Sequence, residues 1–166
     1  MDIGANIAYH WGQIFEEARA IMARAKGSRS GFEPVAHTAD LAVRAWGTSL
    51  EELFEQAAMG LISLMLDPKT VQPASVRTVS AQAQEPEELL VAWLNEVLFV
   101  FEGEHFAPAS VRVKSLGGGK VTSELRGEDF DRARHKTRHS VKAATYHDLV
   151  IKRTGDTYEV RVIFDV

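Results

Sequence analysis

Two segments of this chain carry a long apolar stripe at helical spacing, and strand-like sequence flanks both. In "TSLEELFEQAAMGLISLMLD" Leu50, Leu53, Phe54, Ala57, Ala58, Leu61, Ile62 and Met65 recur every three or four residues, which places them on one helix face. Thr48 or Ser49 is placed to cap the start, with Glu51 or Glu52 three residues on. In "EPEELLVAWLNEVLFVFEGE" Pro86 stands near the first helical position, and Leu89, Leu90, Trp93, Leu94, Val97, Leu98 and Phe101 form a second buried face. Each stripe needs a surface to cover, and the intervening sequence supplies it. "FEPVAHTADLAVRAWG" reads as two extended pieces around the turn-like "HTAD", and "SVRTVSAQA" as a further strand. "SVRVKSL" and "KVTSEL" flank a glycine turn, while "LVIKRT" and "TYEVRVIFDV" flank Gly155-Asp156, so both pairs read as hairpins. Strand–helix–strand therefore occurs twice, without a residue-level repeat. The expected class is α+β, a mainly antiparallel sheet with helices on one face.

Alternation along the strands locates the first candidate site. In the last strand Tyr158, Val160, Val162 and Phe164 share the core face, so Asp165 lies in phase with Glu159, Arg161 and Ile163 on the other. In "DLAVRAW" Leu41, Val43 and Ala45 share one face, and Asp40 falls in phase with Ala42, Arg44 and Trp46. If these strands are neighbours, Asp40, Asp165 and the α-carboxylate of Val166 converge. Three carboxylates suit a hard divalent cation, Ca²⁺ or else Mg²⁺ or Mn²⁺, and leave positions open for water or a phosphate oxygen. The competing reading is two unrelated, solvated carboxylates.

A second candidate is "FDRARHKTRHSVKAATYHD". Arg132, Arg134, Lys136 and Arg138, with His135 and His139, form a basic run suited to a phosphate-bearing ligand or an RNA backbone. Equally, the run can be a solvated loop that balances Glu128, Asp129 and Asp131. Lys142 and His147 fall in strand-like sequence, as site residues or as edge charges. "GGG" at 117–119 lacks the Lys-Ser/Thr and the following helix of a P-loop, and no serine stands in a nucleophile-elbow pattern.

Composition narrows the classes further. The 166 residues suit one main domain, 45% hydrophobic and 25% charged, with a formal net charge of −4 that argues against a nucleic-acid coat protein. There is no cysteine, which removes disulfides, thiolate metal sites and cysteine nucleophiles together. No signal peptide or bilayer-spanning run is apparent, and a cytoplasmic setting is expected. Residues 8–26 carry Trp11, Ile14, Phe15, Ala18, Ile21, Met22 and Ala25 at helical spacing before the linker-like "KGSRSG". The chain thus divides into an N-terminal helical extension and linker, residues 1–30, and a main domain, residues 31–166.

The motifs "HTADLAVRAWGTSLEELFEQAAMGL", "GEDFDRARH", "VKAATYHDL" and "IFDV" together resemble the archease family, in the family's order, from about residue 32 to the last residue. The resemblance implies a fold in which one strand–helix–strand–strand module is inserted in another. It implies a protein cofactor and not an enzyme, with no catalytic residue of its own. The partner it implies is the GTP-dependent tRNA-splicing RNA ligase, which joins a 2′,3′-cyclic phosphate or 3′-phosphate RNA end to a 5′-hydroxyl. Archeases promote guanylylation and multiple turnover of that ligase, so GTP and RNA are met through it. The family's metal site carries over onto Asp40, Asp165 and Val166, and His37, Lys142 and His147 form the surface facing ligase and nucleotide. The alternatives are a metal-dependent phosphoryl-transfer enzyme using the same carboxylates and an RNA-binding module using the basic run.

Overall fold

The computed structural model of the chain describes residues 28–36 and 39–166. The helix expected over residues 8–26 and the side chain of His37 lie outside them. The chain order is β1 (Gly31–Ala36), β2 (Leu41–Gly47), α1 (Leu50–Met65), a 3-10 turn (Pro68–Thr70), β3 (Ser75–Gln82), α2 (Pro86–Glu102), β4 (Phe106–Gly117), β5 (Lys120–Asp129), β6 (Ala143–Ala144), β7 (Lys152–Thr154) and β8 (Thr157–Asp165).

These strands form two sheets, antiparallel throughout. The first runs β1-β2-β8-β6, with β7 also on β8; the second runs β3-β5-β4. The expected double module is present as one unit inside another. β3, α2, β4 and β5 form a complete strand–helix–strand–strand unit, inserted between α1 and the strands that finish the first sheet. β2 and β3, the strands flanking α1, lie in different sheets. β2 takes its neighbour from the far end of the chain, with Leu41 opposite Phe164 and Gly47 opposite Tyr158. That pairing buries Leu41, Val43 and Ala45 on the same face as Val160, Val162 and Phe164.

Both helices start as their sequences imply. Ser49 caps α1, its Oγ accepting from the Glu52 amide at 3.1 Å. The Glu52 carboxylate reaches back to the amide and hydroxyl of Thr48, both at 2.7 Å, which lowers the pKa of its carboxyl through those two hydrogen bonds. Pro86 opens α2. α1 packs on β1, β2 and β8 and also reaches β4, and α2 packs on the second sheet. Gly60 marks the closest approach of α1 to β2, where a Cβ would collide with the Val43 side chain. At the hairpin between β4 and β5, Gly118 and Gly119 take φ of 59° and 72°, the left-handed pair that a tight two-residue turn requires.

Phe54 of α1 and Trp93 of α2 join the two modules, with ring centroids 5.6 Å apart and no solvent exposure. The Trp93 indole N–H donates to Ser123 Oγ at 2.9 Å, and Ser123 donates to the Val79 carbonyl at 3.1 Å. The buried hydroxyl is thereby satisfied, and α2 is keyed to β3 and β5. Removing either ring would cost about 3–5 kcal/mol.

The other face of the first sheet is only partly polar, contrary to the simple alternation. Arg44 bridges Glu159 at 2.6 Å and Glu33 at 3.0 Å there. Ala42 and Ile163, on the same face, are nevertheless 1% and 2% exposed. Among the described residues, no helix is long and apolar enough to cross a membrane.

Candidate functional site

The first sheet brings the expected carboxylates to one end. Leu41 is paired with Phe164, and the same register carried one residue further sets Asp40 opposite Asp165. Ala42 and Ile163 are paired two steps inward, so by alternation the two aspartates share their face. On the opposite flank of β8, Ala143 pairs with Asp165 and the Lys142 amide donates to the Asp165 carbonyl at 2.8 Å. Continued by one residue, that register puts Lys142 beside Val166. Asp165 and Lys142 are exposed, Val166 is 47% exposed and Asp40 is half-buried.

Lys142 and His147 do not lie in a long strand as expected. β6 has only two residues, Lys142 precedes it, and His147 falls in the turn after it. The side chain of Asn95 on α2 meets the outer edge of this short strand. Its Oδ1 accepts from the Ala144 amide at 2.8 Å and its Nδ2 donates to the Ala144 carbonyl at 3.3 Å, which covers the edge of β6. His147 Nε2 lies 3.4 Å from Asp148, whose carboxylate is 3.9 Å from Arg161. Arg161 is four residues before Asp165, roughly 13 Å along the strand. The fold therefore groups Asp40, Asp165, Val166 and Lys142, and sets His147 farther along the same flank. His37, in the connection before Asp40, is outside the described residues.

Two aspartates and a main-chain carboxylate are hard oxygen donors, and their chemistry fits a divalent cation. Among the described residues no group of three or more His, Cys, Asp or Glu side chains is placed to hold a metal ion. A site here would need the Val166 carboxylate or further oxygens to complete it.

Most of the basic run is committed to structure. Arg134 pairs with Glu128 at 2.7 Å and Asp131 at 3.2 Å. His135 is 3% exposed; its Nδ1 accepts from the Asp131 amide at 2.9 Å, so Nε2 carries the proton that it donates to Glu128 at 2.8 Å. Arg138 donates to the Ser63 carbonyl at 2.9 Å and lies 3.8 Å from Asp67. The run folds back on its own acidic neighbours and on the end of α1.

Arg134 first, then the Gln72 amide and His135, hold the Glu128 carboxyl down to about 2. A carboxyl whose pKa is depressed on folding contributes stability above its unfolded value, near 4.5, and loses it as pH falls toward 2. Glu128→Gln is therefore expected to lower the melting temperature at pH 7, with the difference from the parent narrowing as the pH falls below about 4. Thermal melts across that range check it; a gap independent of pH would contradict it.

These features define a class: one strand–helix–strand–strand module inserted in another, with β2 and β8 paired antiparallel in the first sheet. The chain belongs to the archease family, since the model of the Archease protein family matches residues 32–166. It is 38% identical over 128 residues to the archease of Thermococcus gammatolerans, covering 75% of this chain and 90% of that one. The zebrafish (Danio rerio) archease is 36% identical over 156 residues, covering 92% and 96%. Among solved structures, Methanobacterium thermoautotrophicum protein 1598 superposes with a TM-score of 0.69 at 31% identity, over 82% of this chain and 99% of that one. An archease from Thermotoga maritima, described as a possible chaperone, gives 0.60 at 27% identity over 81% and 96%.

Proposed function

We propose that this protein is a metal-binding cofactor that activates the GTP-dependent tRNA-splicing RNA ligase, promoting its guanylylation and multiple turnover. The observation that carries the reading is the β2–β8 register, whose end pair of Leu41 with Phe164 supports setting Asp40 and Asp165, 125 positions apart in sequence, side by side at one sheet end. Membership of the archease family, and the chaperone-like description of the Thermotoga relative, support a helper role in place of catalysis.

In this reading Asp40, Asp165 and the Val166 carboxylate hold a divalent cation, Ca²⁺ in crystals and Mg²⁺ or Mn²⁺ in cells. Such an ion supplies open coordination positions for water or a phosphate oxygen. The chain's own residues do the rest. The paired strands fix the two aspartates on a rigid scaffold, so little ordering is needed when the partner arrives. Lys142 presents an exposed cation beside the carboxylates, and with His37 and His147 it forms the surface that meets the ligase and its nucleotide. RNA and GTP are engaged through the ligase, in the cytoplasm.

The phosphoryl-transfer alternative predicts chemistry by this protein alone. The purified chain, with metal but without ligase, is expected neither to join RNA ends nor to hydrolyse GTP. Sustained GTP turnover that disappears in Asp165→Asn would replace the cofactor reading with the enzyme reading.

A further inference from the structure

A cavity of about 310 Å³ lies where the ends of α1 and α2 meet the chain after β5. Met65, Phe101 and Phe130 give it an apolar wall, and Arg132, Arg138 and the imidazole of His105 a polar one. Ser140 and His139 also line it, and Glu102 is its acidic member. Its volume sits at the lower end of small-molecule sites, which pair mostly apolar walls with a few placed polar groups.

Three features distinguish it from an ordinary crease. His105 adopts φ of 53°, a left-handed conformation that costs a residue with a side chain free energy glycine would not lose. The conformation is held by the Phe130 amide, which donates to the His105 carbonyl at 2.7 Å. Arg132 is exposed, and among the described residues no hydrogen bond or ion pair engages its guanidinium, whereas Arg134 and Arg138 have carboxylate or carbonyl partners. Phe130 is fixed edge-on to Phe101, with centroids 5.6 Å apart at 82°, and lies 5.6 Å from the buried ring of His135.

From these we infer that the cavity is a binding site for a nucleoside monophosphate, with the base against Phe130 and Phe101 and the phosphate on Arg132 and His105. An arginine fork suits a phosphate, and a rigid aromatic ring suits a flat base without selecting its identity. Within the wall Arg138 is held by the Ser63 carbonyl and Asp67, which leaves Arg132 to meet the ligand. The site is separate from the proposed metal site, although Ser140 stands only two residues from Lys142, at most about 7 Å along the backbone.

The test uses the full chain with neither ligase nor added divalent metal, so that its outcome is independent of the cofactor reading. Adenosine and uridine 5′-monophosphate are titrated by calorimetry, with adenosine, uridine and inorganic phosphate as the part-ligands. Both nucleotides should bind, more tightly than any part-ligand. Arg132→Ala should weaken them by about tenfold. His105→Gly should weaken them by roughly three- to tenfold while leaving the melting temperature unchanged or higher, because glycine relieves the left-handed backbone. No binding up to about 10 mM, or affinities in both variants within about twofold of the parent, would overturn the inference.

Discussion

Asp40→Ala and Asp165→Ala are each expected to weaken divalent-cation binding by about a hundredfold or more, since losing even an outer-shell partner of a metal site costs roughly ten- to a hundredfold. The fold should survive both changes. Asp165 is exposed and Asp40 half-buried, and both stand beyond the last apolar pair of the sheet, Leu41 with Phe164. Without metal, Asp165→Ala should change the melting temperature little, because Asp165 is exposed at the end of its strand. With metal the parent should gain melting temperature by mass action and the variants should not. Calorimetry and metal-dependent melts read both effects. Unchanged metal affinity in both variants would remove the site.

A C-terminal extension should be as damaging as either substitution, although it alters no side chain. Peptide linkage turns the Val166 carboxylate into a neutral amide, removing one negative charge and placing new backbone beside Asp165. Deleting Val166 instead moves the terminal carboxylate back one strand residue, about 3.3 Å. Metal–oxygen distances tolerate about 0.2 Å, so neither arrangement should restore the donor set. Both variants should remain folded, because only the exposed end of β8 changes, yet both should lose metal affinity and ligase stimulation. An N-terminal tag of equal length is the control and should do neither. A C-terminally tagged protein with full stimulation and unchanged metal affinity would contradict the role given to Val166.

Much of this was legible from periodicity alone. The stripes of α1 and α2, the Ser49 cap and Pro86 are local signals, and each appears in the structure near where it was expected. The turns at Gly118-Gly119 and Gly155-Asp156 were equally local, since glycine is where a left-handed φ costs least. Strand partnership was not legible in the same way. Nothing near β2 indicates that its neighbour is β8 and not β3; the choice follows from which strand completes the face under α1. The candidate site depends on that choice. Asp40 and Asp165 could be assigned faces from alternation, but only the non-local register makes them neighbours.

The basic run shows the opposite outcome. Six cationic or titratable residues in sequence suggested an anion-binding surface, and tertiary contacts with Glu128, Ser63 and Asp67 take up Arg134, His135 and Arg138. His105 drew no notice in the sequence, because neither the sign of its φ nor its place in a cavity wall has a local signature. Similarly, the cover that Asn95 gives the outer edge of β6 comes from a helix residue 49 positions before Ala144 and has no local signature.

The central claim is that this protein acts on the RNA ligase through the carboxylate end of its first sheet. Its most direct measurement is guanylylation of that ligase from the same cell, followed with labelled GTP and a divalent cation, with this protein present at well below one equivalent. The account predicts that the parent drives guanylylation far beyond its own molar amount, and that Asp40→Ala and Asp165→Ala, folded and at the same concentration, leave the ligase at its basal level. Equal stimulation by parent and variants, or none by the parent, would contradict it.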